Sequence, residues 1–534
     1  MKTAYYNGKI YTGDGFVQAF IVQDGQFYKT GTDEEILNCE IDDKVDLNGR
    51  FVCAGFNDSH MHLLNYGQSL LMAKLNEHTS SLKEMLGYLK GFIASKEINE
   101  KTWIAGRGWN QDYFSDVKRM PSKKDLDAIN KDIPIVLTRA CGHVCVVNSR
   151  ILEMAGIDEN TKAPEGGSID FENGILCDNA IEVLQKFKPL PDKEEIKKML
   201  VSGARSLNSF GITSSQSDDY FVFREIPFET INEAYKELEQ SGELTIRVYE
   251  QSNFDKTEEL QKFIDAGNVT GVGTKMFKIG PLKMLGDGSL GGRTAHLSKP
   301  YNDDPSQIGF NLFPDEVMNA MIDLANRNGM QVAVHAIGDA CLDQVLNAIE
   351  NALKNHPRDD HRHGIVHCQI SRADQLERME KLKLHIYAQS IFLDYDNHIV
   401  EQRVGKQLAS TSYNWKTLMD NGLTVSNGSD APVEIPDALK GIECAITRTS
   451  IDGTGPYLPD QAFSVKEAID SFTINSARAS FEEDYKGLIK EGYLADFVVL
   501  DQDPFEIDRY SIHKIKVLRT YLNGKCVYEN NGPF

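Results

Sequence analysis

This 534-residue sequence has fewer basic than acidic residues, no cysteine spacing typical of disulfides and no long apolar segment. There are 57 lysines and arginines against 79 aspartates and glutamates, and the formal net charge of −22 makes nucleic acid and anionic membranes unfavourable partners. The nine cysteines are scattered without the spacing of a disulfide framework, which is typical of a reducing compartment. No stretch reaches the roughly 18 apolar residues of a membrane helix, and residues 1–8 have no apolar signal core. We therefore expect a cytoplasmic protein whose partner is a small molecule, with its oligomeric state, including a homo-oligomer, left open.

The two ends of the chain share one pattern, short apolar runs separated by turn pairs. Asn7-Gly8 and Asp24-Gly25 interrupt the first such runs, and Asn523-Gly524 interrupts the last. These pairs favour hairpin turns. We expect residues 1–52 and 487–534 to form one small β-sandwich-like domain, the alternative being two unrelated terminal sheets.

The centre of the chain alternates strand candidates with helical stretches such as 315–328 and 339–354, which is typical of parallel βαβ units. Eight strands in this pattern predict an α/β fold, a distorted (β/α)8 TIM barrel over 53–69 and 201–486. The gap from His62 to Gly211 predicts an inserted α/β segment, 70–200, after the first strand, where it covers the active-site face. The strand candidates are Phe51–Phe56, Gly211–Ser215, Thr245–Glu250, Leu282–Leu285, Gln331–His335, Ile365–His367, His385–Gln389 and Leu423–Asn427.

Residues that can bind a metal recur at the carboxyl ends of these strand candidates. His60 and His62 follow the first apolar run, and two-residue spacing in a strand turns both imidazoles to one side. Carboxyl ends of parallel barrel strands converge, so residues distant in sequence meet there. Histidine and aspartate side chains suit Zn²⁺ or a similar first-row ion. The later candidates are Lys283, His335, His367 and Asp430.

Each of these residues also has a plain structural interpretation. A lone histidine after an apolar run is usually a hydrogen-bonded core residue, Asp430 could cap a helix, and Lys283 could be solvated or salt-bridged. Their common position at one end of successive strands favours the metal site. His361 and His363 have the same two-residue spacing, but they precede their strand, so we assign them to a solvated loop on the amino-terminal face.

The motifs that carry these residues resemble the amidohydrolase superfamily, in particular the family 3 branch that includes N-substituted formamide deformylases and uncharacterised metal-dependent hydrolases. The resemblance covers essentially the whole chain. Its motifs are DSHMH at 58–62, Lys283 with DGSLGGRTA at 287–295, HAIGD at 335–339, His367, Ser429-Asp430 and GLIKEGYLADFV at 487–498.

This resemblance implies a centre of one or two divalent ions, with zinc the expected metal. His60, His62 and Asp430 would hold the more buried ion, and His335 and His367 the other. Lys283 matches the lysine that carries a bridging carbamate in two-metal members, whereas an unmodified Lys283 corresponds to a single ion. A metal-activated hydroxide would attack the carbonyl of an amide or formamide-like molecule and break its C–N bond.

Asp430 would act as general base and then as general acid in that reaction. Two alternatives stay open: deamination of a cyclic amidine on the same scaffold, and a non-catalytic binding protein.

Four further residues are candidates for substrate binding. His143 resembles a position of the insertion that faces the pocket, and Trp109 could line that pocket. Asp287 and Arg293, in the loop after the fourth strand, could contact substrate or anchor the loop. Alternatively, His143 could be a hydrogen-bonded loop histidine and Trp109 a buried core tryptophan.

Overall fold

A computed structural model describes residues 1–99, 102–164 and 166–530. These residues form two compact units. The first comprises Met1–Tyr66 together with the chain from Gly203 onward, and the second is Gly67–Ser202. None of the helices in the described residues has the length and apolar character that crossing a membrane requires.

Eight parallel strands of the first unit form the sheet of a distorted (β/α)8 barrel, as predicted. Each strand pairs with the next along the chain. Two backbone hydrogen bonds join the first strand to the segment after the eighth, from Asp430 N to His60 O at 2.8 Å and from His62 N to Ala431 O at 2.9 Å. The barrel strands, one to eight, are Phe56–Met61, Ile212–Ser217, Arg247–Asn253, Phe277–Leu285, Val332–Ala336, Gly364–His367, His385–Ala388 and Val425–Asn427.

The prediction of the first barrel strand was wrong. Phe51–Ala54 belongs to a terminal sheet, and the first barrel strand is Phe56–Met61, whose sequence FNDSHM is largely polar. All six of its residues are buried, so apolar character alone does not identify it. The fourth strand, Phe277–Leu285, also begins earlier than predicted and continues through Pro281. The other six predictions overlap the observed strands.

Helices follow the barrel strands, and the two predicted from sequence are confirmed within one residue as Asp315–Arg327 and Asp339–Asn355. The second buries Cys341, Val345 and Ile349, whose spacing places them on one helical face. The other α-helices of the first unit are Asp33–Leu37, Phe228–Ser241, Thr257–Asp265, Ala373–Leu382, Leu393–Asp396, Val400–Ala409, Trp415–Asp420, Ala438–Thr447, Val465–Ser471 and Ile474–Ala479. The two points at which the chain divides into units fall within the helices Leu63–Leu70 and Lys193–Ser209.

Both ends of the chain contribute strands to one six-stranded sheet. In spatial order its strands are Lys525–Glu529, Val517–Leu522, Phe497–Leu500, Phe51–Ala54, Lys9–Tyr11 and Phe16–Val17. A second, four-stranded sheet contains Gln26–Gly31, Ala19–Gln23, Lys2–Tyr6 and Asp43–Asp46. Phe20 and Phe27 of the second sheet share a hydrophobic core with Phe497 and Tyr521 of the first. The termini therefore build one β-sandwich-like region rather than two unrelated sheets.

The second unit is an α/β segment with its own mixed sheet. In spatial order the strands are Gly167–Asp170, Ile175–Asp178, Val144–Val147, Ile135–Arg139, Ile104–Trp109 and Ala73–Lys74. Its helices are Leu82–Ala94, Lys123–Asp127, Ser149–Met154 and Glu182–Gln185. Leu89, Trp109 and Leu137 lie in its core. That this segment covers the active-site face stays a prediction.

Candidate metal centre

The join between the first and eighth barrel strands brings Asp430 against the first histidine pair. Asp430 Oδ1 lies 2.9 Å from His62 Nε2 and 3.3 Å from His60 Nε2. The backbone bonds across this join hold residues that are about 370 positions apart in the chain. Three of the predicted ligands therefore converge through strand geometry, as barrel topology predicts.

Two overlapping groups of side chains have the composition and spacing to hold a metal ion. In His60, His367 and Asp430, one potential ligand atom from each residue lies within 4.8 Å of the others, and the same holds for His60, His62 and Asp218. Nearly all of these side chains are buried, and buried imidazole and carboxylate donors at this spacing fit Zn²⁺ chemistry. His60 belongs to both groups and links them.

His335 lies beside this cluster with its ring turned aside. Its ring centroid is 4.4 Å from that of His367, so the fifth and sixth strands do bring the two imidazoles together. However, His335 Nε2 lies 3.1 Å from the carbonyl oxygen of Gly288 and 3.3 Å from Asp287 Oδ1. Among the described residues, His335 is in neither group with metal-binding spacing.

Lys283 is fully buried at the end of the fourth strand. Its Nζ lies 3.4 Å from Asp218 Oδ2, yet it makes no hydrogen bond to any residue that the structure describes. An unsatisfied buried amine is costly, and conversion to a carbamate would replace it with two oxygens that can bind a cation. The position therefore fits the bridging role that the sequence resemblance implied.

Asp218 is a residue of the centre that sequence analysis missed. It follows the second barrel strand directly, and its Oδ1 makes a short contact with His62 Nδ1. A carboxylate on Nδ1 leaves Nε2 of the same ring free to face a metal. The available signal was its place after a predicted strand, since 218 comes three residues after the predicted end at Ser215.

Two glutamines, also missed, orient the other imidazoles. Gln251 Oε1 accepts the Nδ1 hydrogen of His60 at 2.7 Å, and Gln389 Oε1 accepts that of His367 at 2.8 Å. Gln251 Nε2 in turn donates to the carbonyl oxygen of Ser59 at 3.1 Å, which supports this orientation of its amide. Both histidines thus keep Nε2 as the unprotonated atom, the form that binds a metal.

The electrostatic environment also favours the protonation states in which these side chains can bind a metal. Burial, followed by the charge of Lys283, lowers the pKa of His60, and burial followed by His335 lowers the pKa of His367 well below its usual value. Burial alone would raise the pKa of Asp430, but the neighbouring imidazoles of His60 and His62 outweigh it and hold that pKa well below the ordinary range. His60 and His367 are therefore neutral, and Asp430 is ionised.

His62 shows that this point of the structure stabilises positive charge. Burial alone would lower the pKa of His62, but the carboxylates of Asp218 and Asp430 outweigh it and raise that pKa well above its usual value. Two carboxylates on one partly buried imidazole favour a cation there, either a proton or a metal ion. This donor set fits a divalent metal.

Two candidates for substrate binding, Asp287 and Arg293, anchor the loop after the fourth strand. Asp287 accepts backbone hydrogen bonds from His296, Ile337 and Gly338 at 2.8–3.0 Å, which ties that loop to the end of the fifth strand. Arg293 pairs with Asp303 at 3.0 Å within the same loop. These contacts favour the loop-anchoring alternative for both residues.

The other two candidates lie in the second unit. Trp109 is fully buried and donates from Nε1 to Leu137 O at 3.0 Å, which favours the packing role. His143 is exposed, with Nδ1 lying 3.0 Å from Asp178 Oδ1. A role for His143 in substrate binding stays a prediction.

The expectation of a solvated loop at His361 and His363 was wrong. Both are buried, and His363 accepts a hydrogen bond from Val332 N at 3.1 Å while its Nε2 lies 3.0 Å from Asn326 Oδ1. Burial lowers the pKa of His363 well below the usual histidine value. They precede the sixth strand, as expected, and act there as core residues.

Known proteins resemble this chain along nearly its whole length. Residues 43–528 match the model of the amidohydrolase family. The chain is 34% identical to the putative amidohydrolase YtcJ of Bacillus subtilis (strain 168), over 99% of this chain and 100% of that protein. It is 23% identical to the N-substituted formamide deformylase of Arthrobacter pascens, over 96% of this chain and 95% of that enzyme.

A solved structure has the same fold. An uncharacterized metal-dependent hydrolase from Pyrococcus furiosus superimposes with a TM-score of 0.78 at 30% identity, covering 95% of this chain and 100% of that one. The family match, the overlapping groups of metal-binding side chains and the barrel agree with one another. The chain therefore belongs to the amidohydrolase family, as a metal-dependent hydrolase of carbon–nitrogen bonds other than peptide bonds.

Proposed function

We propose that this enzyme hydrolyses the C–N bond of an amide or formamide-like small molecule, with zinc as its metal and Asp430 as its proton-transfer group. The observation that carries the proposal is the contact of Asp430 Oδ1 with both His60 and His62. A carboxylate in this position can bind the metal and still reach the water that attacks the substrate. The free cysteines support a cytoplasmic setting.

The residues divide into two sets of ligands. His60, His62 and Asp430 would hold one ion, and His367, with Lys283 as a carbamate and His335 after rotation of its ring, would hold a second. A bound divalent ion supplies Lewis acidity, which lowers the pKa of water and polarises a carbonyl group. Asp218, Gln251 and Gln389 orient the imidazoles by hydrogen bonds to their Nδ1 atoms.

Asp430 transfers the proton in this proposal. Both of its histidine contacts use Oδ1, so Oδ2 is the oxygen that can exchange a proton. Its low pKa keeps the carboxylate ionised, the form that a group must have to accept a proton from the attacking water. The same proton then goes to the departing nitrogen, so that an amine leaves and a carboxylic acid forms.

The experiment that tests this role replaces Asp430 with asparagine. We expect Asp430→Asn to retain metal and to hydrolyse its substrate at least about 100-fold more slowly, the usual size of a general acid–base contribution. The substrate is first found by screening the wild-type enzyme against formamides, N-acyl amines and cyclic amides. Unchanged turnover would show that Asp430 does not transfer the proton. Loss of metal would show that Asp430 acts chiefly as a metal ligand.

Metal stoichiometry tests the second ion and the carbamate. We expect two metal ions per chain, and native mass spectrometry in bicarbonate should show one added CO₂ that is absent from Lys283→Ala. That variant should retain one ion, because His60, His62 and Asp430 are unchanged.

Deamination of a cyclic amidine is the second candidate. The turn of His335 toward Gly288 favours it, since with the ring in this position the proposed second set lacks one of its ligands. One ion per chain, an unmodified Lys283 and release of ammonia from cyclic amidines would establish deamination instead.

A further inference from the structure

The end of the sixth barrel strand has an unusual backbone conformation. His367 has a φ of 75° and Cys368 a φ of 48°, so two consecutive non-glycine residues occupy the left-handed region. This region is unfavourable for residues with a Cβ atom, and such conformations persist only where the surroundings hold them. The first of the two carries an imidazole of the metal centre.

The side chain that holds this segment is Trp415. Its indole Nε1 donates to the carbonyl oxygens of both residues, at 3.1 Å to His367 and 3.2 Å to Cys368. A single N–H group that binds two successive carbonyls restrains both peptide planes. Trp415 is fully buried, so water does not compete for this donor.

The indole is itself fixed by its neighbours. The ring of Tyr413 packs edge-on against it with centroids 5.4 Å apart, and the buried guanidinium of Arg448 lies 5.8 Å from the indole centroid. Tyr413 N also donates to Gln369 O at 2.7 Å, directly after the strained pair. Residues 413 and 415 thus bind three successive carbonyl groups at the end of the sixth strand.

We propose that Trp415 is a positioning residue for the metal centre. Its two hydrogen bonds stabilise the left-handed conformation that directs the His367 side chain toward His60 and Asp430. The same conformation sets His367 Nδ1 against Gln389. This inference rests on the proposed function, because it takes His367 to be a metal ligand.

Trp415→Phe tests the inference, because it removes the indole donor and keeps an aromatic ring in the core. We expect the apoprotein variant to bind Zn²⁺ about 10- to 100-fold more weakly in competition with a chelator, the usual effect of losing a group that orients a ligand. The visible absorption of the Co²⁺-loaded variant should also change. Trp109→Phe is the matched control, since Trp109 is equally buried and its Nε1 also donates to a backbone carbonyl.

A rescue experiment separates backbone strain from simple packing. Glycine adopts the left-handed conformation without steric cost, whereas alanine does not. In the Trp415→Phe background, we expect Cys368→Gly to restore most of the lost Zn²⁺ affinity and Cys368→Ala to restore none of it. Equal rescue by both would overturn the role assigned to strain, since both remove the same thiol.

His367→Asn distinguishes failure of this inference from failure of the proposed function. If it binds Zn²⁺ and Co²⁺ as the wild type does, His367 is not a ligand and the proposed second set of ligands fails. If it binds them weakly while Trp415→Phe matches Trp109→Phe, the ligand assignment stands and the positioning role is wrong. If His367→Asn and Trp415→Phe both weaken binding of the ions, and only glycine at position 368 restores it, the ligand assignment and the positioning role are both supported.

Discussion

Asp58 and Ser429, 371 positions apart in sequence, form a direct hydrogen bond in which the serine hydroxyl donates to the carboxylate at 2.5 Å. Ser429 N donates to the same carboxylate at 3.0 Å, and so does His60 N at 3.2 Å. One buried side chain of the first strand therefore holds both His60 and the residue before Asp430. The relative position of two metal ligands depends on this carboxylate.

We predict that Asp58→Asn lowers hydrolysis about tenfold, because both oxygens of this carboxylate accept hydrogen bonds next to a ligand and the amide nitrogen of asparagine cannot accept them. Steady-state kinetics with the substrate found by screening would measure the change. Ser429→Ala removes the same hydrogen bond from the other side. The two effects should therefore not add in the double variant, and fully additive losses would show that the residues act separately.

We predict that Asp218→Asn weakens Zn²⁺ binding about 10- to 100-fold, because a neutral amide holds the Nδ1 hydrogen of His62 less strongly than a carboxylate does. Chelator competition with the apoprotein measures this affinity. Asp323→Asn is a suitable control, since that aspartate lies in an outer helix and contacts Asn355 at 3.1 Å. If both variants bind equally well, Asp218 does not orient a ligand.

We predict that His385 makes the protein less stable in mild acid. Burial, followed by the charges of Arg362 and Arg478, lowers the pKa of His385 to about 3 from 6.5. Between these values the unfolded chain takes up a proton that the folded chain does not. As pH falls below 6.5, this group therefore reduces the free energy of unfolding by about 1.4 kcal/mol per pH unit.

His385→Gln should remove this dependence, and glutamine can still hydrogen-bond Ser426, which His385 Nε2 contacts at 2.8 Å. Chemical denaturation at pH 7 and pH 5 would then show a smaller difference than in the wild type. His356→Gln, at an exposed histidine, is the control. An unchanged pH slope in His385→Gln would exclude this histidine as the source.

We predict that Arg247→Met destabilises the protein by about 3–5 kcal/mol, the usual cost of leaving one member of a buried ion pair alone. Arg247 Nε lies 2.6 Å from Asp496 Oδ2, and its Nη2 donates to Asn523 Oδ1 at 2.6 Å. The pair connects the third barrel strand with the terminal sheet, so its loss affects both. Thermal unfolding monitored by circular dichroism would detect the change.

An exposed pair provides the comparison for Arg247. Lys381 and Glu377 are 4.0 Å apart and both largely solvent-exposed, so Lys381→Met should cost less than about 1 kcal/mol. An equal loss of stability in Arg247→Met and Lys381→Met would show that burial of the ion pair does not determine its contribution.

Much of the fold could be predicted because barrel strands and helices have strong local patterns. The helix Asp339–Asn355 was predicted within one residue since its apolar residues recur at helical spacing. Phe56–Met61 was missed because it is buried by the barrel while its side chains are polar and hydrogen-bonded. His361 and His363 were wrongly placed in solvent for the same reason, since their partners lie elsewhere in the chain.

Strand order and residue spacing are local properties of the chain, and they were sufficient to predict which side chains lie at the carboxyl ends of the barrel strands. That was enough to bring His60, His62, His367 and Asp430 into one cluster. The direction of each ring could not be predicted in this way, because every imidazole takes its orientation from an acceptor that is distant in the sequence and comes close only in the folded chain. Gln251 and Gln389 turn two rings toward the centre, whereas Gly288 turns His335 aside.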